Sequence, residues 1–279
     1  MLPIPSRFHY LFNIRDVTKV FQGILMTNPS SIPDSKVFAR LWLHECQRVF
    51  HDRLIDEEDR KFFRDLSMEL LTLKFKEKYT EEDLFHTDFT EGKIKTTFSM
   101  ITNCDFENKL YEEVKDPARL IKVLEDKMID YNFTFPKATL SLIFFEYAID
   151  HLTRISRILN QPRGNALLIG VSGCGKQSLS KLAAFIQDIE ASTIKLVKNY
   201  KAINFKEDLK EVLLNSGCDR KKNVFILSDA QILQEDFLED INCILNTGEI
   251  ANIYEKEDYE RMGASLQRIM KQRKILQSQ

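Results

Sequence analysis

The segment Gly170-Val171-Ser172-Gly173-Cys174-Gly175-Lys176 has the residue types and spacing needed to hold phosphate. Glycines let the backbone turn sharply, so that its N–H groups converge on an anion. Lys176 adds a point charge for the outer phosphates of a nucleotide. An apolar run precedes the loop and an amphipathic segment follows it. The loop therefore joins a strand to a helix, whose positive end strengthens the same field. The rival reading is a structural glycine turn, which has no need of Lys at the start of an amphipathic helix.

The next position departs from the usual pattern, because Gln177 stands where Ser or Thr normally binds Mg²⁺. A carboxamide can ligate the ion or bond to phosphate, but it is longer than a hydroxyl group. Ser178 is the other candidate ligand, although neighbouring residues on a helix point about 100° apart. Cys174 reads as a small loop filler, since no sequence-local base activates it. The expected ligands are ATP or ADP with Mg²⁺, contacted by Gly170, Val171, Ser172, Gly173, Cys174, Gly175, Lys176, Gln177 and Ser178.

A second chemical element is Val224-Phe225-Ile226-Leu227-Ser228-Asp229, in which apolar residues end in an acid. Two registers fit. In the first, Asp229 is the metal-side acid and Ala230 occupies the place of the water-activating Glu. In the second, Ser228 replaces the metal-side Asp and Asp229 takes the Glu position, making Ser228 a metal candidate and Asp229 the catalytic one. Either register lacks one acid, which weakens the case for hydrolysis more than the case for binding. The plainer alternative makes Asp229 a cap for the segment that follows.

These residues need elements to position them. Ala166-Leu167-Leu168-Ile169 reads as a strand buried on both faces. Leu179, Leu182, Ala183 and Ile186 describe a helix, 194–197 a second strand, 205–214 a helix and 224–227 a third strand. That alternation implies a parallel α/β sheet with its ligand at the carboxyl ends of the strands. Phe237, Leu238, Ile241, Ile244 and Leu245 form a further helical face. Upstream, helices are expected from Asp16, from Asp34, after the acidic run 56–59 and from Pro117, and another spans Leu142 to Leu159. Residues 1–78 thus read as all-helical. Residues 79–117 are mixed, with Phe85, Phe89, Phe98 and Phe106 as scattered anchors.

Composition narrows the classes. The 279 residues suffice for two domains, and 43% hydrophobic composition can fill their cores. A formal charge of −2 gives no field that points to nucleic acid or a membrane, and neither is expected as a partner. Lys271-Gln272-Arg273-Lys274 reads as a solvated basic face. The five cysteines and five histidines lack zinc spacing, and His44 and Cys46, two positions apart, do not share a helix face. No signal peptide is expected at Met1–Ser6, and no uncharged run approaches the roughly 20 residues of a membrane span. An intracellular, reduced setting is expected.

Three segments together resemble the axonemal dynein heavy chains: Phe8-His9-Tyr10-Leu11-Phe12-Asn13-Ile14-Arg15-Asp16, the stretch 164–179 through Gly175-Lys176-Gln177-Ser178-Leu179, and 237–250 through Asn246-Thr247-Gly248-Glu249-Ile250. The loop resembles that of the fourth ATPase module of the motor ring, and Phe-Asn-Ile-Arg-Asp the start of the third module's lid. The resemblance implies an AAA+ type P-loop α/β fold, a partial large subdomain with a parallel sheet, preceded by an all-helical lid subdomain. Residues 1–100 would be the lid of one module, 101–129 a linker region, and 130–279 the first part of the next. The module's later sensor strand, its lid and the coiled-coil stalk would lie beyond. Arg15 takes the place of a nucleotide-sensing lid arginine, and Ser228-Asp229 matches the family's Asp-Glu element in the second register.

The resemblance further implies a microtubule motor of the ciliary or flagellar axoneme. Its partners would be the rest of the ring and, through the whole heavy chain, intermediate chains, light chains and microtubules. Nucleotide binding would be regulatory, with weak or absent turnover. Two other classes are an independent P-loop NTPase or kinase, and a scaffold segment with a degenerate nucleotide loop.

Overall fold

The computed structural model describes residues 3–75, 79–80, 84, 97–103 and 109–272. The chain divides into two compact units, Met1–Gly164 and Asn165–Gln279.

In the first unit, helix α1 (Ile14–Ile24) starts one turn earlier than its apolar periodicity suggests. Asn13 is its cap, accepting from Arg15 N at 2.9 Å, while the Asp16 carboxylate accepts from Asn13 N at 3.1 Å. Each group thus satisfies a donor left over by the first turn. Helix α2 (Ser35–Val49) is capped by Asp34, which accepts from Val37 N at 2.8 Å. Tyr10, Val20, Leu43, Leu54 and Leu71, the last on α3 (Glu57–Phe75), share one buried cluster. A two-residue pair, β1 (Phe98–Ser99) antiparallel to β2 (Glu112–Glu113), follows. Phe98 is buried as expected of an anchor, whereas Phe85, Phe89 and Phe106 lie outside the described residues.

Helix α4 (Pro117–Thr134) has Pro in its first turn and Asp116 as its cap. Helix α5 (Glu146–Asn160) begins later than the apolar repeat from Leu142 suggests. Just ahead of it, the Asn132 carboxamide accepts from Leu140 N at 2.6 Å and donates to Leu140 O at 2.9 Å. Side chain and backbone pair as two strands would, which holds Leu140 extended.

His44 and Cys46 are both buried on α2, with the His44 ring beside those of Phe98 and Tyr111. Burial pushes the Cys46 thiol up to about 12, the condition of an inert core cysteine. Among the described residues no group of three or more His, Cys, Asp or Glu could hold a metal, and no helix is long and apolar enough to cross a membrane.

In the second unit, β3 (Glu190–Ser192) pairs in parallel with β4 (Asn223–Phe225), Ala191 opposite Val224. Helix α6 (Lys176–Ile186) precedes β3, and α7 (Ala202–Cys218) makes the crossover that parallel strands require. Phe205 and Phe237 stack at 4.2 Å between centroids, joining α7 to α8 (Asp236–Asn246), and α9 (Lys256–Gln272) follows. Of the basic cluster, Arg273 and Lys274 lie outside the described residues.

Three strand expectations need correction. Residues 164–171 form no strand, and Leu167, Ile169 and Val171 are 80–88% exposed, so Ala166–Ile169 is not the doubly buried strand its composition suggests. An apolar run becomes such a strand only with neighbours on its edges and helices over its faces. The second strand is 190–192 instead of 194–197, because the chain leaves α6 through a tight turn with Asp188 at φ 54° and pairs at once. The third is 223–225, beginning one residue before the expected 224 and ending two residues short of 227.

Charge joins α5 to α2. Glu45, fully buried, accepts from Arg157 Nε at 3.0 Å and from Tyr111 Oη at 2.7 Å. Arg48 of α2 lies 3.5 Å from Asp150 of α5, which also pairs with Arg154 at 2.7 Å. Removing one member of such a buried pair leaves the other charge without compensation. Arg157→Met should therefore cost about 3–5 kcal/mol by urea unfolding. Adding Glu45→Gln, which removes the charge and keeps an acceptor for Tyr111, should recover more than half of that loss.

Candidate phosphate-binding loop and strand-end site

The loop gets its shape from its glycines. Gly173 and Gly175 have φ of 81° and 80°, in the left-handed region that glycine enters without a Cβ penalty. At Gly170 a Cβ would stand 3.1 Å from Cys174 Sγ, a crowded approach across the turn. Gly175 caps α6 without any side-chain hydrogen bond, so the helix opens with backbone donors that its cap residue does not satisfy. Leu179, Leu182, Ala183 and Ile186 are buried and seat the helix behind the loop.

Lys176, the first residue of α6, folds its side chain back over the turn. Its Nζ donates to Gly170 O at 2.6 Å and Val171 O at 2.7 Å, and lies 3.5 Å from Cys174 Sγ. The ammonium is thus held at the mouth of the loop. Ser172, Cys174 and Gln177 are exposed, Ser178 is half-buried, and Ser180 Oγ bonds back to Lys176 O at 2.8 Å. A phosphate fits this arrangement, which offers helix-terminal N–H groups, left-handed glycines and a cation on one short turn. Gln177 is exposed on the first turn of α6.

At the carboxyl ends of β3 and β4 lies a second cluster. Ser228 is half-buried, and Asp229 is exposed at the start of a short 3₁₀ turn, Asp229–Gln231. Gln231 organises the turn. Its Oε1 accepts from Ser228 N at 2.8 Å and Ser228 Oγ at 2.9 Å, and its Nε2 donates to Ile194 O at 2.8 Å and Thr193 Oγ1 at 3.0 Å. The sequence reading missed Gln231. Its signal was the Ser-x-x-Gln spacing of a capping box, obscured because no apolar helical repeat starts at Ser228. The loop's bonds and this turn's bonds are separate sets with no residue in common.

Arg15 belongs to the first unit. It is exposed on the first turn of α1, while its neighbour Asp16 is buried beneath it. Arg53 holds Asp16, contacting Oδ2 at 3.3 Å and Oδ1 more closely, and its guanidinium also lies 5.7 Å from the centre of the Phe12 ring. Arg53 thereby fixes the helix start that presents Arg15.

Two family models match the chain. A family model described as "P-loop containing dynein motor region D4" matches residues 140–279, and one described as "AAA+ lid domain" matches residues 1–87. Dynein axonemal heavy chain 6 of Homo sapiens is 40% identical over 270 residues, covering 95% of the chain. Dynein axonemal heavy chain 3 of Mus musculus is 40% identical over 262 residues, and heavy chain 1 of the same species 41% over 265, covering 92% and 94% of the chain. The chain spans about 6% of the length of each of these relatives.

Asp16 provides a pH readout for the α1 start. Burial alone would raise its carboxyl, but the bonds from Arg53 and Asn13 N–H outweigh that and hold it below the ordinary range. A lowered carboxyl stabilises the fold above its unfolded value of about 3.9, and that contribution is lost as pH falls through the lower, folded value. Arg53→Met should cost about 2 kcal/mol at neutral pH. Its deficit against the parent should shrink steadily below about pH 3.9, followed by urea unfolding across the acid range.

Proposed function

Because the chain belongs to the dynein motor-region family of AAA+ P-loop modules, with a lid-type segment ahead of the loop, we propose that residues 170–178 bind ATP or ADP with Mg²⁺ as a regulatory site with slow or no hydrolysis. The observation that carries this reading is Lys176 Nζ, poised over a glycine loop at the unsatisfied start of α6. Lys176 takes the outer phosphates, and the loop N–H groups of 171–176 surround them. Gln177 and Ser228 supply oxygen ligands to Mg²⁺, which when bound offsets phosphate charge.

The strand end supports binding more than turnover. In the register we favour, Ser228 stands in the metal-side acid position and Asp229 in that of the water-orienting Glu. A carboxylate withdrawn by one methylene, about 1.5 Å, loses reach toward an attacking water. Asp229 is also exposed at a turn, away from the dry setting in which such a group acts best.

We read residues 1–100 as the lid of the preceding module, 101–129 as a linker and 130–279 as the first part of the next, which the family matches over 1–87 and 140–279 support. Arg15 then senses nucleotide belonging to the lid's own module. By analogy with relatives named as axonemal heavy chains, the setting is the axoneme of a cilium or flagellum. The partners are the remaining motor ring and, through the whole heavy chain, intermediate chains, light chains and microtubules.

Calorimetry with Mg-ATP and Mg-ADP on a chain extended through the module's own lid tests the loop. Lys176→Ala should weaken both about tenfold or more, the scale of one lost charge-assisted phosphate contact. Equal affinities for parent and variant would remove the loop from the site. No binding by the folded parent would favour a scaffold role.

A further inference from the structure

We propose that Gln231 dictates the chemistry of position 228: its carboxamide, fixed in one orientation by backbone on both sides, admits a hydrogen-bond donor there and excludes a carboxylate. A glutamine amide can usually turn over, exchanging its oxygen and nitrogen. Here it cannot do so without loss. Ser228 N–H can only donate, so the atom 2.8 Å from it is the oxygen. The Ile194 carbonyl can only accept, so the atom 2.8 Å from it is the nitrogen. Reversal would set donor against donor at β4 and acceptor against acceptor at β3.

The Ser228 hydroxyl, 2.9 Å from that same oxygen, is therefore the donor in their bond. A hydroxyl can donate in this way and still accept through its lone pairs. A carboxylate in its place has no proton to give and would face an oxygen that cannot move aside. Gln231 also uses its second N–H on Thr193 Oγ1 at 3.0 Å, so all four of its hydrogen-bonding positions are engaged. Ser228 is half-buried, which limits how far water can screen the conflict. The absence of an acid at 228 is thus built into its neighbour, and Gln231 is a positioning residue acting through Ser228. The mechanistic meaning of this pairing rests on the reading of residue 228 as metal-side.

Ser228→Asn and Ser228→Asp are nearly isosteric and differ in donor capacity, so they form the test on the 279-residue chain. With Gln231 present, Asp should lower the folding equilibrium constant about tenfold more than Asn, within the range of contacting pairs. In the Gln231→Met background the two should cost the same within about twofold. The Asp deficit should also close as pH falls from about 5 to about 4, because a carboxyl disfavoured as its anion takes up a proton in the fold above its unfolded value and then has one to donate. Should Ser228→Asp not fold at all, recovery of a cooperative melt on adding Gln231→Met supports the inference. An equal cost for Asn and Asp beside Gln231, including failure of both to fold, overturns it, as does an Asp deficit that ignores Gln231→Met. The unfolding cycle needs no nucleotide. Failure of the functional reading would instead appear as loss of Mg-ATP binding with the cycle intact.

Discussion

The first turn of α6 begins after a glycine with no side-chain acceptor to offer, and the proposed chemistry depends on the donors this leaves. A helix start normally answers its free N–H groups with a Ser, Thr, Asp or Asn cap, as α1, α2 and α4 do through Asn13, Asp34 and Asp116. At α6 that place is taken by Gly175, whose left-handed backbone aims the turn and leaves room for an anion. The buried face of Leu179, Leu182, Ala183 and Ile186 holds the helix still while its end stays open. Lys176 is drawn to the same point by the carbonyls of Gly170 and Val171, so the cation and the backbone donors are in place together.

Binding and hydrolysis make different demands on such a site. Binding needs donors and a cation on one turn, which a short stretch of chain can provide alone. Hydrolysis needs a metal-side acid and a water-orienting acid held in register at the far end of a strand. In this chain Ser228 and Asp229 occupy that strand end, and Gln231 ties it to the end of β3 through a fully engaged carboxamide. The network that makes the strand end rigid also suits it to a hydroxyl group. On the proposed reading, the residue that orders this strand end also favours a hydroxyl group over an acid at 228.

What could be read in the sequence was whatever repeats at a fixed spacing or belongs to a dense motif. The loop, α6 and the parallel crossover through α7 were legible because glycines, Lys176 and apolar periodicity act over a few residues. Ala166–Ile169 misled, because an apolar run reports burial only when its neighbours supply it, and neighbours are a tertiary property. The helix expected from Leu142 starts at Glu146, after an extended Phe145, which apolar spacing does not register. Glu45 and Arg157 were invisible, since charges on amphipathic helices normally face water, and their partnership spans 112 residues. Gln231 was hidden for a similar reason: its partners Thr193 and Ile194 lie 38 and 37 residues away.

The claim that this loop holds ATP without consuming it can be measured in one experiment. The protein extended through its module's lid is loaded with radiolabelled Mg-ATP under single-turnover conditions, freed of unbound nucleotide, and quenched at intervals from seconds to minutes. The account predicts that the label stays with the protein and is recovered mainly as ATP after a minute. Recovery as ADP within a few seconds, the sign of turnover at about 1 s⁻¹ or faster and thus in the ordinary enzymatic range, would contradict it.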